Sequence, residues 1–172
     1  MSIWFSCWFA AVVLQRLLEL RLAKRNAALL KRLGGAEVPG DSYGRIVALH
    51  IAFLAFLLVE FVARRPAFEP WTLVPLGLFL LLQAARVWCI RTLGVYWNTR
   101  LVVLPGMRLV REGPYKWLKH PNYAIVTLEM LVLPLAFGCF LAAALFPPIN
   151  AALLRRRVAV EEDALRSASS QP

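Results

Sequence analysis

Charge is scarce in this chain of 172 residues: Asp, Glu, Lys and Arg together make up 17%, against about 25% in an ordinary soluble domain. Acidic residues are scarcer still, 10 against 20 Lys and Arg, and there are only 2 histidines and 3 cysteines. Cys7, Cys89 and Cys139 lie in or beside apolar runs, and no two have CxxC spacing. An odd number without a partner pattern excludes a disulfide framework, and with His50 and His120 far apart in sequence no zinc site is expected. The thiols read as small buried apolar groups. No GxGxxG follows a strand pattern, which removes the dinucleotide-binding fold, and GxxxxGKS/T, HExxH and GxSxG are missing as well. There is no internal repeat, and low complexity is confined to the short Ser-containing end.

What is abundant is apolar surface. Hydrophobic residues reach 60% and the mean hydropathy is +0.61. One domain of this size cannot bury that much, so lipid must cover much of it. The formal charge of +10 would suggest nucleic acid in a soluble protein. Here the basic residues fall between apolar runs, as topology signals and headgroup contacts do. Membrane lipids are therefore the expected partners and nucleic acid is not; nothing in the sequence speaks to oligomeric state.

The apolar runs are residues 3–22, with Trp4 and Trp8 near the start; 46–63; 71–90; and 123–154. The first lacks a basic leader and a small-residue cleavage site, so it reads as a retained span. Arg16 and Glu19 in it either snorkel or face the interior. The last run is too long for one span and short for two, and Pro134, Gly138 and Pro147-Pro148 interrupt it. It predicts a hairpin of two short or kinked helices. Residues 91–122 are rich in turn signals, with Leu101 to Leu104 as a short strand-like run. The expected fold is all-α and integral to the membrane, with about five spans in one domain. Residues 1–90 form three spans and their loops, 91–165 the chemical region, and 166–172 a frayed tail. Five spans put the N-terminus outside. Of the 20 basic residues, all but Arg64 and Arg65 then lie on the cytoplasmic side or at that end of a span. The expected home is a bacterial inner membrane, with a site at the cytoplasmic face.

Hydrogen-bonding residues cluster in the last third. His120 precedes Pro121, which biases it toward extended backbone just before a helix whose free N–H groups suit an anion. Glu129 sits about two turns into an apolar helix, where a carboxylate needs a wet cavity, a function or an Arg partner. Arg157 and Glu161 have spacing for a simple helix-surface ion pair as well as for a site.

Gly113-Pro114-Tyr115, His120-Pro121-x-Tyr123, Asn150 and Arg157-x-x-x-Glu161-Glu162 resemble the C-terminal signature of the isoprenylcysteine carboxyl methyltransferase and phospholipid methyltransferase group. The N-terminal half is similar to its short bacterial members in Arg16-Leu17-Leu18-Glu19-Leu20, in Lys24-Arg25-Asn26 and from Arg45 to His50. Some of those members methylate alkylpyrones or alkylresorcinols. The resemblance implies S-adenosyl-L-methionine as cofactor, bound without a Rossmann fold by Gly113, Tyr115, His120, Pro121, Tyr123, Glu161 and Glu162. It implies catalytic roles for Arg157, His120 and Glu161. Arg100, Glu129, Asn150 and Arg157 would meet a lipophilic substrate, with no metal. The stop soon after Glu162 favours the short bacterial subgroup over prenylcysteine enzymes. Phospholipid N-methylation, a non-catalytic membrane protein of the same fold and, more weakly, a nicotinamide-dependent reductase are the alternatives.

Overall fold

Five helices run back and forth through a single bundle in the structure, a computed structural model that describes residues 3–40, 42–107 and 109–169. They are α1 (Ile3–Arg32), α2 (Tyr43–Arg64), α3 (Leu73–Leu93), α4 (Pro121–Ala136) and α5 (Phe140–Ser169). Glycine and proline set their ends. Gly34 and Gly94 adopt positive φ just past α1 and α3, where a side chain would be strained. Pro121 occupies the first turn of α4, where its missing N–H costs nothing.

Three helices are long and apolar enough to cross a bilayer: Ile3–Arg32, Tyr43–Arg64 and the helical stretch Pro70–Tyr96. The chain is therefore a membrane protein of helical type. Helix α4 is apolar but shorter, with 16 residues, about 24 Å at the usual rise. Leucines such as Leu14, Leu18, Leu78 and Leu81 are exposed along the outside, as lipid-facing surface requires. The core at one end is aromatic: Phe5 stacks on Phe61 with centroids 3.6 Å apart, and Trp4 and Phe137 pack around them.

The expected hairpin is present as α4 and α5, joined by a tight turn in which Gly138 has φ +68°. Two features differ from expectation. Pro147 and Pro148 lie inside α5 without ending it. Each removes one backbone bond, and burial of Ala142, Ala143, Phe146 and Asn150 against the bundle outweighs that loss. The buried carboxylate of Glu60, from α2, also accepts from the N–H groups of Leu141 (3.0 Å) and Ala142 (2.8 Å), anchoring the start of α5.

The second difference is that the polar tail is no separate element. Its helix is the continuation of α5 through Ser169, so the frayed end expected at 166–172 is helical up to that point; residues 170–172 lie outside the described residues. Thirty residues extend about 45 Å, beyond an apolar slab of about 30 Å. The last turns of α5 fold over the loop before α4. Val160, Ala164 and Leu165 pack there on Leu101 and Val103. The strand-like run from Leu101 forms β2 (Val102–Val103), antiparallel to β1 (Ala36–Glu37), and this two-residue ribbon is the chain's one departure from all-α among the described residues. Cys89 and Cys139 are buried as expected, but Cys7 is exposed on the outside of α1.

Candidate functional site

One face of α5 presents Asn150, Leu154, Arg157, Glu161 and Leu165 at helical spacing, and it turns inward. Arg157 is 5% exposed. Its Nε donates to the Tyr123 hydroxyl at 2.8 Å and its Nη2 to the Thr99 carbonyl at 2.6 Å. The same hydroxyl donates to Glu161 Oε2 at 2.5 Å. Arg157 and Glu161 thus meet through Tyr123 rather than as a helix-surface pair. His120 stacks on the Tyr123 ring, centroids 5.5 Å apart. Its two nitrogens lie 3.9 Å from Glu161 and 3.4 Å from Glu162. Loop and tail close on each other through this set.

Two cavities meet there. A smaller one, about 150 Å³, opens at the charged end and is lined by Tyr115, His120, Tyr123, Arg157, Glu161 and Arg100, among others. A larger one, about 410 Å³, lies between α1, α2 and α4; its walls are mostly aliphatic, with Glu129 and His50 among the polar exceptions. Trp97, Asn98, Asn122, Tyr123 and Arg157 line both and form the partition. Three polar atoms of that partition, Trp97 Nε1, Asn98 Oδ1 and Asn122 Oδ1, are buried without a hydrogen-bond partner. Buried groups of this kind are normally satisfied, and a ligand or water supplying two donors and one acceptor would satisfy these.

The remaining expected residues fall around this centre. Gly113 lines neither cavity; its role is backbone, because at φ +52° a Cβ would sit 2.6 Å from Thr92 Oγ1. Pro121 likewise only opens α4. Glu162 stands at the rim, 3.5 Å from Lys119 Nζ, and Lys119 first, then His120, hold its carboxyl below the usual range. Burial, with Cys89 next, pushes the Tyr115 phenol well above its ordinary value, so it acts as a hydroxyl. Arg100 reaches the smaller cavity only, with its guanidinium paired to Glu37 at 2.5 Å and set over the Tyr43 ring. Asn150 lines neither cavity; its Nδ2 donates to Thr127 Oγ1 at 2.8 Å.

Glu129 lines the larger cavity, yet both its oxygens are taken. Oε1 accepts from Gln83 at 2.8 Å, and Oε2 from Arg16 at 2.7 Å and Arg86 at 3.3 Å. Glu19 completes the group with Arg86 (2.6 Å) and Arg16 (3.0 Å). Arg16 and Glu19 therefore face the interior, and two cations neutralise two anions where lipid would otherwise surround them. The sequence assigned no site role to Trp97, Asn98, Asn122 or Asn26. Asn26 Nδ2 donates to the carbonyls of Gly94 (3.1 Å) and Trp97 (2.8 Å), so α1 sets the partition loop. A lone polar residue in a basic helix gave no signal for this.

Residues 75–167 match the sequence model of the Isoprenylcysteine carboxyl methyltransferase (ICMT) family. The chain belongs to that family. The match contains nearly all of α3, the loop after it, α4 and α5 up to residue 167, hence every residue that lines the smaller cavity. The chain is also 38% identical over 160 residues to a protein of Bacillus subtilis described as "Uncharacterized protein YpbQ", covering 93% of this chain and 95% of the relative. It is 23% identical over 158 residues to an "Uncharacterized protein" of Haemophilus influenzae, covering 91% and 92%. No solved structure matches. As a member of a methyltransferase family, the protein is a membrane methyltransferase.

Proposed function

We propose that the protein transfers a methyl group from S-adenosylmethionine to an oxygen of a lipophilic acceptor drawn from the bilayer. The acceptors in view are a prenylcysteine-like carboxylate, an alkylpyrone or an alkylresorcinol. The observation that carries this reading is the pair of cavities, one lined in part by charged side chains and one almost wholly apolar, that share the Tyr123–Arg157 partition. The unpartnered Asn98 and Asn122 oxygens and the Trp97 N–H suit an amino acid headgroup and ribose hydroxyls, and Tyr96 and Tyr115 in the smaller cavity offer faces for a purine. In donor, acceptor and aromatic groups the lining suits S-adenosylmethionine, which Tyr115, His120, Tyr123, Asn122 and Glu161 would hold.

When bound, the cofactor supplies an electrophilic methyl group on a sulfonium centre. Everything else is the chain's work. The partition holds the acceptor oxygen in line, and the aliphatic cavity keeps water from it. Arg157 offers positive charge to an oxygen that becomes anionic. Tyr123 takes the acceptor proton as its own passes to Glu161, with His120 beside the carboxylate to steady it. The excess of Lys and Arg in the loops around the site supports a cytoplasmic site and tail, with the N-terminus outside; the membrane proposed is a bacterial inner membrane.

The test is labelled S-adenosylmethionine with purified protein and a membrane lipid extract, the product identified by mass spectrometry. Label on an oxygen of a lipophilic acceptor is expected. Label on phosphatidylethanolamine would move the reading to N-methylation, and no saturable cofactor binding would leave only the membrane fold.

A further inference from the structure

The two cavities are encoded by different parts of the chain. All residues around the smaller one fall between Leu93 and Leu165, inside the family match of 75–167. Much of the larger one comes from α1 and α2, outside that match, through residues such as Val13, Leu17, Val47 and His50. The cofactor end is thus the shared part, and α1 and α2 shape what is methylated.

Most polar groups at the α1–α2 end are already satisfied. All four carboxylate oxygens of Glu19 and Glu129 accept from Arg16, Arg86, Gln15 or Gln83, and two Arg balance two Glu. That end therefore asks for no net charge. His50 is different. Its Nδ1 lies 2.8 Å from the Ile46 carbonyl of its own helix. A carbonyl only accepts, so Nδ1 carries a proton, and in the neutral ring Nε2 is then a bare acceptor. No group among the described residues bonds Nε2, and His50 lines the cavity. An acceptor lone pair in an aliphatic wall favours a ligand that brings an O–H and disfavours a carboxylate.

We infer that His50 is a specificity-determining residue, reading a neutral hydroxyl on the lipophilic acceptor other than the oxygen that is methylated. This rests on the methyl-transfer reading above.

The experiment uses the full chain in lipid nanodiscs and two long-chain alkylphenols, one with and one without a second ring hydroxyl. Equilibrium binding of each probe and KM for methyl transfer are measured, beside S-adenosylmethionine affinity. Wild type is expected to favour the dihydroxy probe about tenfold or more, because a site built to bond a hydroxyl rejects the analogue that lacks it. His50→Phe should bring the ratio close to one by weakening the dihydroxy probe, with cofactor affinity within about twofold. His50→Gln, whose side chain still accepts, should recover part of the preference. If His50→Phe does not fold, His50→Leu makes the same comparison. Equal or no binding of the two probes by wild type overturns the inference, as does a preference that survives His50→Phe. Wild type that fails to bind S-adenosylmethionine overturns instead the reading beneath it.

Discussion

Tyr123 is the residue on which the site turns. Its hydroxyl is the only group that touches both Arg157 and Glu161 in the bonds described, and its ring carries His120. Tyr123→Phe keeps the ring and removes the hydroxyl. Methyl transfer is expected to fall roughly 100-fold, the low end of the range for general acid–base groups, while S-adenosylmethionine affinity changes only a few-fold. A calorimetric titration beside a turnover assay separates the two, and unchanged turnover would take Tyr123 out of the mechanism. The residue types of this centre were legible in the sequence, because His120-Pro121-x-Tyr123 and Arg157-x-x-x-Glu161 are local patterns. Trp97, Asn98 and Asn122 were not, since a polar residue in a loop or a first helical turn looks the same whether it faces water or closes a cavity. Glu129 was legible as needing a partner but not as having found three.

At the scale of elements, α1, α3 and α4 are tied by the Arg16–Glu19–Arg86–Glu129 group inside the apolar bundle. Removing one carboxylate leaves two guanidinium groups facing one anion. Glu129→Gln is expected to cost about 3–5 kcal/mol, as for other broken buried pairs. Glu129→Gln combined with Arg16→Gln restores neutrality and should be less damaging than the single change. Thermal melting in detergent checks this, and a double variant no better than the single would show that charge balance is not what the group provides. The helices were legible from apolar run length. Their exact relation was not: the continuity of α5 through Pro147-Pro148 depends on packing and on the Glu60 carboxylate from α2, which no local rule contains.

At the scale of the whole molecule, the polar tail closes on the loop before α4 partly through Glu162, Lys119 and His120. The Glu162 carboxyl is held below its ordinary value of 4.5. A depressed carboxyl contributes above that ordinary value and loses its contribution as pH falls through the lower, folded one. The closure should therefore be intact through neutral pH and loosen only below about 4.5. Because Lys119 is exposed, high salt should also weaken it. Protease sensitivity of the tail in nanodiscs would report both, and a tail released near pH 6 would contradict the assignment. The sequence by itself determined that the chain enters a membrane, that its basic residues fall between apolar runs, and which family signature it bears. Those are properties of composition and short spacing, and they survive any arrangement of helices. Only the tertiary structure decided that a continuous α5 brings Arg157 and Glu161 to Tyr123, and that α1 and α2 supply a second cavity beside the first. Such contacts join residues dozens of positions apart, and their energy comes from burial and satisfied hydrogen bonds that exist only once the bundle has formed.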